Sequence, residues 1–152
     1  MNPIKKKPQL KARIKVVGRD SDELVGFVKK LGMESILSDS SADVVVATEE
    51  GVLPENCGRL AYPYHKTCDR AALKGKVTLS YAVEDNSADV VAKNIRDRDG
   101  VVTFELLSAD GIGRVYIDGD IEKTPKLALA LACGLMLAGV SAGDAIAMVS
   151  TG

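Results

Sequence analysis

Residues 77–118 read VTLSYAVEDNSADVVAKNIRDRDGVVTFELLSADGIGRVYID, and this stretch decides the fold. Short polar segments rich in Asp, Ser and Gly interrupt it, as turns between strands do, and Asp99-Gly100 is a favourable hairpin pair. Polar Thr103 and Glu105 alternate with apolar neighbours, which is typical of a half-buried strand. The pattern predicts an antiparallel meander with strands at 76–83, 88–95, 101–107 and 113–118.

A helix-flanked unit precedes the meander. The run ARIKVV at 12–17 predicts a short strand, and the apolar spacing within 21–32 predicts an amphipathic helix. The continuous apolar run ADVVVAT at 42–48 is typical of a strand buried on both faces of a parallel sheet. RLAYPY at 59–64 predicts a short edge strand, since Pro63 cannot donate to a ladder. The expected fold class is α/β, with a partly parallel, helix-flanked sheet joined to the antiparallel meander.

A long apolar helix follows the meander. Thr124 and Pro125 predict its start, as N-cap and first helical residue, and Gly139 predicts its end. Ser21 and Ser141 are the predicted N-caps of the helices on either side of it in the chain. Because the long helix is apolar nearly all round, we expect it to be buried, either in the core of the chain or against a partner. A homo-oligomer formed through this helix is therefore one expectation.

Composition bounds the class of protein. The 152 residues suit one domain, expected at 12–152 after a flexible N-terminal arm at 1–11. The net charge is -1, and the lysines at 5–7 form the one basic cluster, so no nucleic-acid partner is expected. No signal peptide is recognisable, and the apolar stretch 127–140 is shorter than the ~20 residues that span a bilayer. We expect a cytoplasmic protein without a membrane span.

Residues 76–149 resemble the latter half of the central domain of the Mur ligases, the ATP-dependent amide ligases that build the stem peptide of peptidoglycan. The likeness lies in the order of the segments and in phrases such as ADVVAKNI, GVVTFEL and AGVSAGDAI, and it covers about half of the chain. The resemblance implies a shortened Mur-ligase-like α/β domain. It also implies a link to UDP-N-acetylmuramyl peptide synthesis and the cell wall.

The residues that would carry ATP chemistry in that family differ here. The resemblance places the phosphate-binding loop at VVGRDSDELVGF (16–27), which lacks Gly-Lys-Ser/Thr and carries acidic residues at 20, 22 and 23 that would repel phosphate. An Asn-x-Asp-Asp segment of the family corresponds to 47–50, and a Gly-x-His-Asn phrase corresponds to the residues after Gly119, where neither His nor Asn is present. We also expect the family's separate C-terminal domain to be absent. We therefore expect no bound cofactor and no catalytic residue.

Two groups of residues are candidates for reactivity or ligand binding. His65 and Cys68 are three residues apart, so they could meet on one helical turn as a nucleophile pair. With Cys57 they could also hold a metal, but the spacing lacks the close Cys pair of a zinc site, and no metal is expected. Arg96 and Arg98 in the run RDRDG could bind a carboxylate or phosphate, or pair with the neighbouring aspartates in a solvated hairpin.

Three hypotheses about function follow. The first is a non-catalytic Mur-ligase-related binding or regulatory protein, a pseudoenzyme linked to peptidoglycan precursors, with a small molecule or a cell-wall enzyme as partner. The second is an enzyme, either a ligase component whose partner supplies the nucleotide-binding loop or an activity centred on His65 and Cys68. The third is a structural module that self-associates through the apolar C-terminal helix.

Overall fold

The computed structural model of the chain describes residues 13–38, 42–49, 58–65 and 75–150. The arm predicted at 1–11 lies outside the described residues. The helices and strands are β1 (Ile14–Val17), α1 (Ser21–Lys30), β2 (Val44–Ala47), β3 (Arg59–Pro63), β4 (Val77–Val83), β5 (Val90–Arg98), β6 (Val101–Ser108), β7 (Gly111–Asp118), α2 (Thr124–Leu137) and α3 (Ala142–Val149), with a 3₁₀ turn at Glu34–Ile36.

The seven strands form one mixed sheet in which spatial order equals chain order. Strands β1 to β5 are parallel, and β5 to β7 are antiparallel. The expected α/β class, with a parallel part and an antiparallel part, is confirmed. The turn predicted at Asp99-Gly100 is also confirmed, since both residues have positive φ, 53° and 83°, as a two-residue hairpin of this hand requires.

The prediction that β4 and β5 pair in an antiparallel meander is wrong. They are parallel, although only six residues lie between Val83 and Val90. Parallel neighbours normally need a crossover of a dozen residues or more. Here Tyr81 lies opposite Val90, so the chain returns by only two residues, about 7 Å, before it enters β5. Asp89 holds this return, because its carboxylate accepts hydrogen bonds from the Ser80 backbone N–H (2.8 Å) and hydroxyl (3.1 Å).

The prediction that β3 is an edge strand is also wrong, because β3 lies between β2 and β4. Pro63 is tolerated there because it is the last residue of the strand. The Tyr64 N–H donates to the Tyr81 carbonyl on β4, so the neighbouring position 63 points toward β2. Pairing between β2 and β3 ends at Ala61, and no ladder bond is lost at the proline.

Helix α2 lies across one face of the sheet and fills the core. Eleven of its residues are buried, and it contacts β2 to β6, α1 and α3. The helix is therefore used within the chain itself, and the expectation of a homo-oligomer formed through it is not supported. None of the described helices is long and apolar enough to cross a membrane.

The predicted helix starts are right to within one residue. Ser141 is the N-cap of α3, and its hydroxyl accepts a hydrogen bond from the Asp144 N–H at 3.2 Å. Ser21 and Thr124 lie one position inside their helices instead, so Pro125 occupies the second helical position. Such one-residue shifts at helix ends are small compared with the length of each helix.

The packing of α2 predicts that replacing glycine by alanine changes the free energy of unfolding in opposite directions at Gly134 of α2 and at Gly26 of α1. A Cβ on Gly134 would lie 2.7 Å from Cγ2 of Val46 on β2, whereas a Cβ on Gly26 of α1 would meet nothing within 4 Å. We expect Gly134→Ala to lower the free energy of unfolding by about 1–3 kcal/mol through overpacking. Gly26→Ala should raise it by about 0.5–1 kcal/mol, because alanine is the better helix former. Urea unfolding of both variants measures this, and equal effects at the two positions would contradict the packing.

Two buried, weakly acidic side chains, the Cys133 thiol and the Tyr81 phenol, predict that the protein loses stability at alkaline pH. Burial raises the pKa of the Cys133 thiol and of the Tyr81 phenol above their ordinary values of 9.0 and 10.0. The unfolded chain therefore releases these protons first, so stability that is present below pH 9 is lost as the pH rises. We expect the free energy of unfolding to fall by up to roughly 1.4 kcal/mol per pH unit for each group. Unfolding curves between pH 8 and 11, compared with those of Cys133→Ala/Tyr81→Phe, test this; equal slopes would contradict it.

Candidate functional site

The carboxyl ends of the parallel strands form the first candidate surface. Ligands of open α/β sheets bind beyond this edge, where the loops after the strands meet the starts of helices. Here the edge carries Gly18 after β1, Thr48 after β2 and His65 after β3. A cavity of about 320 Å³ opens between the starts of α1 and α2.

The turn after β1 is closed by contacts with the end of β2. Gly18 has φ +119°, and a Cβ there would collide with the Thr48 hydroxyl. That buried hydroxyl donates to the Val17 carbonyl at 3.1 Å, and the Thr48 N–H donates to the same carbonyl at 2.9 Å. The Ser21 N–H turns inward to the Gly18 carbonyl at 3.2 Å. The turn is therefore tied to the end of β2 through the Val17 carbonyl.

The lining of the cavity is more acidic than basic. It includes the carboxylates of Asp20, Glu23 and Glu122 and the amines of Lys123 and Lys126. Glu23 Oε1 lies 3.2 Å from Lys123 Nζ, and this hydrogen bond raises the pKa of Lys123. One lysine is thus already paired with an acid of the same cavity. A polyphosphate would meet a net negative lining and does not fit these residues.

A second ion pair spans the same edge. Arg19 Nε lies 3.5 Å from Glu49 Oε2, so the turn after β1 and the residue beyond Thr48 carry opposite charges that face each other. The arginine side chain is exposed, and the pair contributes little to stability. The ion pair nevertheless engages the Arg19 guanidinium, which is the one guanidinium in the turn after β1 and would otherwise be available to a phosphate.

Tyr81 lines the cavity from below and was missed by sequence reasoning. Its hydroxyl donates to the Ala47 carbonyl at 2.7 Å, and the side chain is almost fully buried. Burial keeps the phenol neutral by raising its pKa, with smaller contributions from Cys133 and Asp20. The residue is a hydrogen-bond donor that joins β4 to β2. A single tyrosine in an apolar strand carries no local signal of this role.

The junction between β7 and α2 keeps a glycine turn at Gly119 but lacks the His and Asn that the resemblance to the Mur ligases implies there. Gly119 has φ +157°, and the Thr124 hydroxyl packs against it. The Asp120 carboxylate accepts a hydrogen bond from the Glu122 N–H at 2.7 Å, so it shapes the turn. Among the residues that the structure describes, no group of three or more His, Cys, Asp or Glu side chains is arranged to hold a metal ion.

The His65 and Cys68 pair stays a prediction. His65 is half-buried at the end of β3, on the same edge as the cavity. Cys57 and Cys68 lie outside the described residues, so neither the nucleophile pair nor the metal alternative is tested. Cys133 is fully buried in α2, and burial raises the pKa of its thiol, which makes it an inert core residue.

Arg96 and Arg98 lie together on a different surface, the face of the sheet turned away from α2. They line a depression of about 630 Å³ to which Arg114 of β7 also contributes. The alternative of self-pairing within RDRDG is not observed: between the described residues, no ion pair joins either arginine to an aspartate of the run. The Asp97 carboxylate instead accepts a hydrogen bond from the Gly100 N–H at 3.2 Å.

The contact between Gly18 and Thr48 predicts that alanine destabilises the protein more at Gly18 than at Gly32, although both glycines have positive φ. Gly32→Ala should lower the free energy of unfolding by about 1–2 kcal/mol, the cost of left-handed backbone, since a Cβ there would meet nothing. Gly18→Ala should cost more, because its Cβ also collides with Thr48. Adding Thr48→Ala should recover part of the difference. Thermal unfolding of the three variants checks this, and purely additive effects of Gly18→Ala and Thr48→Ala would contradict the contact.

No protein-family profile and no curated protein sequence matches this chain. Solved structures do match it. The MurF ligase UDP-N-acetylmuramoylalanyl-D-glutamyl-2,6-diaminopimelate–D-alanyl-D-alanyl ligase from Acinetobacter baumannii superimposes with a TM-score of 0.63 at 15% identity, over 91% of this chain and 45% of that one. MurF from Thermotoga maritima in complex with ADP gives 0.52 at 12% identity, over 90% and 48%.

A UDP-N-acetylmuramoyl-L-alanyl-D-glutamate–2,6-diaminopimelate ligase gives a TM-score of 0.54 at 15% identity, over 80% of this chain and 30% of that one. The likeness predicted for residues 76–149 thus extends over most of the chain. At these identities it establishes the fold. The chain spans less than half the length of these ligases, and it has the fold of a fragment of a Mur ligase.

Proposed function

We propose that this chain is a Mur-ligase-fold binding protein, linked to peptidoglycan precursors, that does not bind ATP by itself. The observation that carries the proposal is the lining of the cavity at the start of α1. Three carboxylates, Asp20, Glu23 and Glu122, surround the place toward which the helix dipole would draw a phosphate. With Lys123 and Lys126 the lining carries a net charge of about -1, which exceeds the half charge of opposite sign that one helix dipole supplies.

The link to the cell wall rests on the fold that the chain shares with ligases named for UDP-N-acetylmuramoyl substrates. Because one fold serves many functions, the link calls for a direct binding test. A thermal-shift screen against UDP-N-acetylmuramoyl peptides tests the link, with UDP alone as the matched control. A rise in melting temperature with the peptides and none with UDP supports it; no shift with either counts against it.

The cytoplasmic location stays a prediction.

The proposal predicts that millimolar ATP and ADP with Mg²⁺ do not bind in the cavity between α1 and α2. It also predicts no change in the amide NMR signals of residues 18–24, because the acidic lining repels phosphate. Micromolar affinity with shifts in these signals would refute it. Neutralising the lining with Asp20→Asn/Glu23→Gln/Glu122→Gln should allow weak tripolyphosphate binding at those amides. The same charge change at exposed positions away from the cavity, with Glu34→Gln/Asp43→Asn/Asp110→Asn, should not.

A second candidate is a ligase component whose partner supplies the phosphate-binding loop. The observation that favours it is the pair of lysines at the start of α2, where Lys126 has no described acidic partner within the cavity. This candidate predicts that nucleotide binding to a partner ligase strengthens when the chain is added and weakens again with Lys126→Met. A nucleotide affinity that does not respond to Lys126→Met would remove it.

A further inference from the structure

The antiparallel part of the sheet has one covered face and one open face. Val102, Phe104 and Leu106 of β6 point to the covered face and are fully buried in the core with α2. Thr103 and Glu105 alternate with them and point to the other face. On that open face lies the depression of about 630 Å³, larger than the cavity at the parallel edge.

A β-bulge in β5 places two arginines on the open face. Pairing with β6 runs from Lys93 opposite Glu105 to Arg96 opposite Thr103, so β5 holds one more residue than β6 in this interval. Asn94, with φ 55°, is at the bulge. Without the extra residue Arg96 would lie opposite Val102, and the alternation would turn Arg96 and Arg98 toward the core face. The bulge therefore re-aims both guanidinium groups, as bulges beside binding sites do.

The one carboxylate in the depression is already occupied. Glu105 accepts a hydrogen bond from the Asn94 amide at 2.9 Å through one oxygen, and its other oxygen lies 3.4 Å from Nη2 of Arg114. Arg96 and Arg98 have no ion-pair partner within the part of the chain that the structure describes. The lining thus has three guanidinium groups against one carboxylate, with the excess positive charge on β5.

The arrangement suits an anion. Residues two apart on one face of a strand are about 7 Å apart, so the Arg96 and Arg98 side chains are long enough for both forks to contact one ligand above the sheet. A planar guanidinium binds phosphate or carboxylate through two parallel N–H donors. The cross-strand row from Arg96 continues through the Thr103 hydroxyl to Tyr116, whose ring is half-exposed on β7 and offers a flat surface beside the charge.

We propose that this face, with Arg96 and Arg98 as its anion-binding groups, is a binding site for a small ligand that carries an oxyanion, either phosphate or carboxylate. The site is separate from the cavity between α1 and α2 and does not depend on the function proposed for the chain. Nucleotide that bound here would shift amide signals of β5 to β7 and leave those of residues 18–24 unchanged. The NMR signals therefore distinguish a failure of the proposed function from a failure of this site.

The test is a titration of the ¹⁵N-labelled full chain at low salt. Inorganic diphosphate is the probe in one arm and citrate in the other. We expect saturable shifts of the amides of Arg96, Thr103 and Tyr116 with at least one probe, weakened by added NaCl. The arm that responds more strongly identifies phosphate or carboxylate as the preferred group. No saturable shift of these amides at millimolar concentrations of either probe overturns the proposal.

A charge-matched pair of variants separates this site from general attraction. Arg96→Gln/Arg98→Gln should weaken binding about tenfold or more, because each charged hydrogen-bond pair contributes strongly. Arg13→Gln/Lys29→Gln removes the same charge from exposed residues outside both candidate sites and should leave the affinity nearly unchanged. Arg96→Lys/Arg98→Lys keeps the charge without the fork and should give an intermediate affinity. Equal weakening by the two Gln pairs would show non-specific attraction and overturn the site.

Discussion

The close approach of α2 to the sheet is the constraint on which the rest of the structure depends. Gly134 faces Val46 and Ile14, and the absence of a side chain there lets the helix lie directly on the parallel strands. From this position α2 packs on strands β2 to β6 and on both other helices. The same placement brings the start of α2 beside the start of α1, so packing at one glycine also defines the cavity at the parallel edge.

At the carboxyl edge of the parallel strands, the backbone geometry and the side-chain chemistry differ in what they depend on. At Gly18 and at Gly119 a threonine hydroxyl leaves no room for a Cβ, and both helices begin where a ligand of an α/β sheet would lie. The side chains around the cavity are the part that differs from a phosphate site. Backbone geometry depends on glycines and packing, whereas affinity for a charged ligand depends on the sign of a few surface groups, so the two can change independently.

The two surfaces of the chain carry opposite electrostatic character. At the parallel edge, carboxylates outnumber amines, and one of the two lysines is paired. In the depression on the open face of β5 to β7, guanidinium groups outnumber the single carboxylate of the lining, which is paired with two neighbours. Anions are therefore disfavoured where the fold would place them and favoured on a face made by the bulge at Asn94, although the net charge of the whole chain is only -1.

The sequence by itself determined the features that depend on neighbouring residues: the alternation in β6, the positive φ at Asp99-Gly100, the Ser141 cap and the apolar character of α2. It also indicated that phosphate-binding residues are missing from 16–27 and that Arg96 and Arg98 are ligand candidates. Only the tertiary structure decided the parallel pairing of β4 with β5, the interior place of β3, the contact of Glu23 with Lys123 and the face on which the arginines lie. These features depend on which strand lies beside which, and that choice is made by contacts between residues far apart in the chain.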